Sequence, residues 1–426
     1  MDPIKHFKNK LGENLSRKLL SSPRTYELAN FFFVKHGEFP FKGIQEVTNM
    51  MLDLTASAYR QEKRVAFTSA FFPDELIHAF DFVPFSPEVA AATATSLDIS
   101  PSLLKKAEQE EISPDGCSFH RVAATGAFED YFPIPDVFLA SSHLCDGAPQ
   151  LFRYLAEIYD KPYYILDVPV TSDKKAKEYV ASQLKEITQE IEKITGNNLI
   201  EESLEEKIHI SNKARKAQLE FYEARKNPTK YLSGENAITL VLLHFLGQGH
   251  PKTPEVFRTL TRELIAPAKD ENYQITRNNV DEELNGSLKI IWSHLRPFYK
   301  NNLFEILEEL NAKVVFEEMN YVYWPELDPG KPYLSLAEKV LSNPMVGPIE
   351  KRADSLKQMV EDYNSDGIIH FSHWGCHPTI GAVYNLKKIL QKDNIPFLSI
   401  DSDCVDKGKF SEGQLRTRLE SFIEMV

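Results

Sequence analysis

The chain has 426 residues, with 49 Lys and Arg against 62 Asp and Glu and a formal net charge of −13. That length predicts two or three domains with ample cores. The acidic balance excludes wholesale nucleic-acid binding, which needs a basic surface, and no apolar run approaches the ~18 residues that span a membrane.

The N-terminus, MDPIKHFKNKLGENLSRKLL, lacks a secretory apolar core and reads as an amphipathic helix, so a cytosolic protein is expected. Residues 1–60 read as a mostly helical segment carrying the apolar patch Leu28–Val34. A first α/β domain is expected over 61–170. It opens with a strand at Arg64–Thr68, a helix starting at Pro73 and a short strand at Phe82–Pro84. An amphipathic helix follows at Ser100–Glu110, and Cys117 stands just before the next helix start. A thiol in that position is biased towards thiolate by the helix dipole. Asp136–Val168 then reads as strand Val137–Ala140, loop Ser141–Gly147 with Cys145, helix Pro149–Ile158 and strand Pro162–Leu166, a βαβ unit.

Beyond Asp167 the texture changes. Ser172–Arg225 is rich in Lys and Glu at helical spacing and reads as two long helices broken near Thr195–Asn198. Helices at Glu235–Leu246 and Thr253–Leu264 complete a helical region over 171–286. A second α/β domain over 287–426 has strands at Lys289–Trp292 and Lys313–Phe316 around a helix at Asn302–Leu310. The aromatic loop MNYVYWPELDP can wall a pocket, and a helix at Ile349–Tyr363 follows it. Gly367–Phe371 is the next strand, Ser372–Pro378 a loop with Cys376, and Pro396–Ile400 the last strand, ending in Asp401. Ser411 is a candidate cap for the final helix.

The two βαβ units share a grammar. Asp136 corresponds to Asp366, His143–Cys145 to His373–Cys376, Pro162 to Pro396 and Asp167 to Asp401. Ligands of parallel sheets sit at the carboxyl ends of strands. Two such halves facing one another put Cys145 and Cys376 on one cleft.

The four cysteines are Cys117, Cys145, Cys376 and Cys404, with no C-x-x-C among them, and structural disulfides are not expected in a cytosolic chain. Cys117, Cys145 and Cys376 converging on a cleft suit an iron–sulfur cluster, and three ligands leave one iron open for water or substrate. Cys404 lies in the acidic DSDCVD, a poor thiolate environment. Zinc competes for the pairs Cys117/His120 and His143/Cys145 and the set His373/Cys376/His377. Neither a G-x-G-x-x-G fingerprint nor a P-loop is present, so ATP hydrolysis by this chain is not expected. No G-x-S-x-G elbow supports a serine hydrolase.

Several stretches together carry a family resemblance. TSAFFPDELIHAF, FSPEVAA, PDGCSFHRVAATGAF, PDVFLASSHLCDGAPQLFRYLAEIYDKPYYILDVP and DSDCVDKGKFSEGQLRTRLESFIEM resemble subunits of (R)-2-hydroxyacyl-CoA dehydratases, from about Arg64 to Val426. The wider family includes class I benzoyl-CoA reductase subunits. The resemblance implies an α/β chain of two Rossmann-like parallel-sheet domains, with a helical N-terminal segment, a helical insertion and an oxygen-sensitive [4Fe-4S] cluster in the interdomain cleft. By context its ligands are Cys117, Cys145 and Cys376, while Cys404 sits where relatives have another residue. The implied partners are an acyl-CoA substrate, a paralogous subunit or second copy, and a separate ATP-dependent iron–sulfur activator.

The implied reaction has a physical need. Removing water from a 2-hydroxyacyl-CoA requires losing a hardly acidic β-hydrogen. One added electron gives a ketyl radical anion that can expel the 2-hydroxyl, and the β-hydrogen then becomes far more acidic. An open iron can act as a Lewis acid, and the protein supplies orientation and a water-poor cleft. Glu88 in FSPE matches a Pro-Glu motif of the substrate site and is expected to help the hydroxyl or proton leave. The chain departs from the pattern at Ala70, where relatives have a serine, and Ser69 is the nearest substitute. His143, His373 and His377 are candidates for the cluster shell or a proton relay. A benzoyl-CoA-reductase-type reductase subunit and an electron-relay subunit without a substrate site are the alternative readings.

Overall fold

Two runs of strands, each apolar on both faces, build two parallel sheets. The computed structural model describes residues 16–199, 201–266, 284 and 286–426. The expected amphipathic N-terminal helix falls mostly outside the described residues. In the first sheet β1 (Val65–Thr68), β2 (Val83–Phe85), β3 (Val137–Ser141) and β4 (Tyr163–Leu166) lie in the order β2-β1-β3-β4, all parallel. In the second, β5 (Leu288–Ser293), β6 (Ala312–Glu317), β7 (Gly367–His373) and β8 (Phe397–Ser402) lie in the order β6-β5-β7-β8, again parallel. Every residue of β1, β2, β3 and β7 is buried. Strands covered on both faces need such unbroken apolar runs.

The order by sequence is identical in both halves, second, first, third, fourth, so the repeat read in the sequence is a repeat of topology. Its caps repeat as well. The Asp136 carboxylate accepts from Val65 N–H at 2.8 Å while its own N–H donates to Val65 O. Asp366 does the same with Lys289, at 2.7 Å for the carboxylate. Pro162 and Pro396 offer their carbonyls to Phe138 and Ile368 respectively. In each sheet the chain reverses direction of winding between its first and third strands, where open α/β sheets leave a crevice.

Long helices at Lys174–Thr195 and Glu201–Lys226 join the halves. The break between them is set by Gly196, at φ 70 on the C-cap of the first. The second helix reaches both halves. Its Ser211 donates to Glu75 at 2.6 Å, and its Arg225 forks onto Glu317 at 2.7 and 2.9 Å. The single helix expected over Glu235–Leu246 is instead Gly234–Ala237, a 3-10 turn Ile238–Leu240 and Val241–Leu246. The Asn320 side chain donates to Ala237 O at 2.8 Å, diverting a carbonyl that a continuous helix needs. The strand expected at Phe82–Pro84 sits one residue later, after Asp81 turns the chain at φ 57. No helix among the described residues is long and apolar enough to cross a membrane.

Candidate functional site

The loops at the carboxyl ends of the two sheets meet. Cys117 is the N-cap residue of the helix Ser118–Phe128, and Cys376 is the N-cap residue of the helix His377–Lys392. Cys145 lies in the loop between β3 and the helix Ala148–Tyr159. Three contacts stitch these loops across the cleft. Ser118 Oγ donates to Asp403 Oδ1 at 2.6 Å, His377 Nδ1 stands 3.0 Å from Asp146 Oδ2, and Gly375 packs on the Cys117 backbone. Gly375 has φ 78, and a Cβ there would stand 2.7 Å from Cys117 N, so the position requires glycine.

The cysteines interact electrostatically. Burial pushes the Cys117 thiol well above its usual range, and the neighbouring Cys376 and Cys145 add to the rise. Burial likewise raises Cys376, with Cys145 contributing. The thiolate bias expected from the helix dipole at Cys117 is therefore outweighed by desolvation. Deprotonated together, the cysteines would repel one another, so the site favours a positively charged occupant. Cys404 is fully buried among Ile400, Val405 and Leu419, where burial first and Asp403 second push its thiol well up. It serves the core as a small apolar side chain.

His373, at the end of β7, is the shared neighbour of these groups. Its Nδ1 accepts from Cys404 N–H at 3.0 Å, and its Nε2 stands 3.4 Å from Cys117 Sγ. Burial lowers its pKa to about 4. His143 is buried, with its Nε2 unpartnered and its ring 5.6 Å from Phe71. His377 is largely solvated beside Asp146.

Glu88 lies in the first turn of the helix Pro87–Ser96, behind the N-cap Ser86. Its Oε2 accepts from Ala70 N–H at 3.1 Å and from Ser86 Oγ at 3.4 Å, and its Oε1 stands 3.5 Å from His120 Nε2. His120 also reaches Cys145. Burial alone would lower its pKa, but Cys145 and Glu88 together raise it to about 10. Glu88, His120 and Cys145 thus form one line. In the sequence His120 stands out only through its C-x-x-H spacing. That spacing, one helical turn from Cys117, is the signal that puts it on the cleft side. Ser69 is buried, and its Oγ accepts from Ser141 N–H at 2.9 Å. It ties the two switch-point loops of the first sheet together. Phe71, two residues on, is held at φ 69, a strained conformation for a non-glycine residue.

The donor set fits a cluster. Each thiolate of a cubane binds a different iron, so its sulfurs stand farther apart than the ligands of one ion. Cys117, Cys145 and Cys376 stand on three separate backbone segments, a donor chemistry that such a group can use. Among the described residues no three His, Cys, Asp or Glu side chains converge on a single-ion site. Of the side chains read for zinc, His143 turns to Phe71 and His377 to Asp146, while His120 lies between Glu88 and Cys145 and His373 beside Cys117.

The aromatic loop expected to wall a pocket does so elsewhere. Tyr321 and Val322 line a cavity of about 720 Å³ with Tyr222 and Tyr363, and none of the cysteine-loop residues takes part.

Fold and site define a duplicated α/β protein with three cysteine loops meeting between its halves. The sequence profile of the 2-hydroxyglutaryl-CoA dehydratase D-component family matches residues 69–426, and the chain belongs to that family. It is similar to the (R)-phenyllactyl-CoA dehydratase alpha subunit of Clostridium sporogenes, 22% identical over 396 residues that span 90% of this chain and 94% of the relative. The beta subunit of that enzyme is 26% identical over 290 residues, 61% of this chain and 68% of the relative. A benzoyl-CoA reductase subunit of Thauera aromatica is 25% identical over 405 residues, 88% of this chain and 91% of the relative.

Proposed function

We propose that this chain is a cluster-bearing subunit of an (R)-2-hydroxyacyl-CoA dehydratase, a hydro-lyase that gives a 2-enoyl-CoA by a radical route. The observation that carries this reading is the meeting of Cys117, Cys145 and Cys376 at one cleft, with Glu88 linked to it through His120. Cys117, Cys145 and Cys376 would hold a [4Fe-4S] cluster, which when bound would pass on an injected low-potential electron and offer a Lewis-acidic iron.

The chain's own residues do the rest. Glu88 holds or receives the proton that leaves with the reaction, through Oε1, the oxygen that faces His120. Ala70 N–H and Ser86 Oγ engage Oε2 and fix the rotamer. Ser69 is a positioning residue, since its hydroxyl binds the β1 loop to the β3 loop. The Gly375 approach keeps the cysteine loops closed over one another and limits water. The ATP-dependent electron injection is assigned to a separate activator, as the family resemblance implies. Relatives named as alpha and beta subunits support a paralogous partner. The exposed Leu28, Phe31, Phe32 and Val34 on the helix Pro23–His36 offer an apolar face for one. An air-sensitive cluster calls for an anaerobic setting.

A specific feature favours a second reading. With Ala70 in place of a hydroxyl and Ser69 buried, an electron-relay subunit lacking a substrate site, or a reductase-type subunit, is the alternative. Turnover of a panel of (R)-2-hydroxyacyl-CoA thioesters and benzoyl-CoA, with Glu88→Gln beside the native chain, tests the assignment. Dehydration that needs Glu88 supports the first reading. Dehydration indifferent to Glu88 supports the relay, and ring reduction without dehydration supports the reductase.

A further inference from the structure

We propose that His373 is a positioning residue for the cluster, donating its Nε2–H to the Cys117 sulfur from the opposite half of the molecule and raising the cluster's reduction potential. The inference rests on the cluster reading above.

The tautomer follows from hydrogen bonding. Cys404 N–H donates to His373 Nδ1 at 3.0 Å, so that nitrogen carries a lone pair. A neutral ring then has its proton on Nε2, and Nε2 faces Cys117 Sγ at 3.4 Å, within range of an N–H···S bond. The ring cannot turn away. His373 is 1% exposed, and the Phe119 ring packs edge-on at a centroid distance of 5.1 Å. Asp403, the nearest acid at 3.8 Å from Nδ1, is already occupied by Ser118 Oγ and by the N–H groups of Val405 and Asp406.

A hydrogen bond to a ligating thiolate withdraws charge from the iron and favours the reduced cluster. A fixed neutral donor does so without adding an ion to the cleft. His373 belongs to β7 and Cys117 to the first half, so the same bond holds the two halves in register at the ligand. The backbone N–H of Cys404 ties the loop after β8 to this ring, and the buried Cys404 thiol lies within electrostatic reach of Cys376 and Cys117.

The test is an EPR-monitored redox titration of anaerobically prepared, cluster-loaded chain, with iron and sulfide measured on the same samples. His373→Leu is expected to shift the potential to more negative values at unchanged cluster content, and His373→Gln, which keeps an N–H near the Nε2 position, to restore most of the shift. Should His373→Leu fail to fold, pulsed EPR on ¹⁵N-histidine protein in a His120→Gln background reads the same bond. It is expected to show one weakly coupled histidine nitrogen. An unshifted potential in a loaded His373→Leu chain, or no ¹⁵N coupling in that background, overturns the proposal alone. A native chain that takes up no cluster overturns both it and the reading on which it rests.

Discussion

Gly375 lies so close to Cys117 that a Cβ would meet the Cys117 backbone at 2.7 to 2.8 Å. The contact joins two cysteine loops from opposite halves, and its obstacles are backbone atoms that cannot swing aside. Gly375→Ala is therefore expected to push the loops apart and lower iron and sulfide content well below the native level. The left-handed backbone alone costs about 1–2 kcal/mol with a side chain. Metal analysis beside a urea melt separates loop displacement from unfolding. Native iron content in the variant would show that the loops do not need this approach.

Glu88→Gln keeps the Ala70 hydrogen bond and the side-chain shape but removes the carboxylate beside His120. Turnover is expected to fall by roughly 10²–10⁴-fold, the usual worth of a general acid or base, with cluster content unchanged. Steady-state assays with the partner and activator present check this.

Arg225 and Glu317 form a buried bidentate pair between the helix Glu201–Lys226 and β6. Arg225→Ala leaves the Glu317 carboxylate buried without its cation, a change that costs about 3–5 kcal/mol. Chemical denaturation should show that loss. Replacing both residues by apolar ones of similar size should recover much of it, because the desolvation penalty then disappears.

Buried histidines set an acid limit. Burial lowers His78 to about 4 and His244 and His294 to about 3. Their folded pKa values lie below the unfolded value of about 6.5, so the unfolded chain binds more protons below that pH. Their contribution is complete above about pH 6.5 and is lost as pH falls towards 4 and 3. Urea midpoints should hold between pH 7.5 and about 6.5 and fall from there to pH 5. A flat profile across that interval would contradict the burial of these rings.

Much of this was legible because the two halves repeat. Runs such as VAFT and GIIHFSH are apolar enough to be covered on both faces, and Asp136 and Asp366 stand at equivalent edges. The Cys145 and Cys376 loops followed from strand-end logic, and Cys117 from its place before a helix start. The rest depends on packing between distant segments. Glu88 meets His120 only because two helices cross, and His373 meets Cys117 across 256 positions of sequence. The helix dipole at Cys117 can be read from the sequence, whereas the burial that outweighs it cannot. The 3-10 break at Ile238 coincides with the Asn320 hydrogen bond to Ala237 O, a contact from a distant segment that no local pattern could reveal.

The most direct test of the central claim is iron and acid-labile sulfide content after strictly anaerobic purification, compared across four single substitutions. The cluster reading predicts about four irons and four sulfides per native chain, their loss in Cys117→Ser, Cys145→Ser and Cys376→Ser, and their retention in Cys404→Ser. Stoichiometric zinc without sulfide in the native chain, or a cluster that depends on Cys404 rather than on the other three, would contradict it.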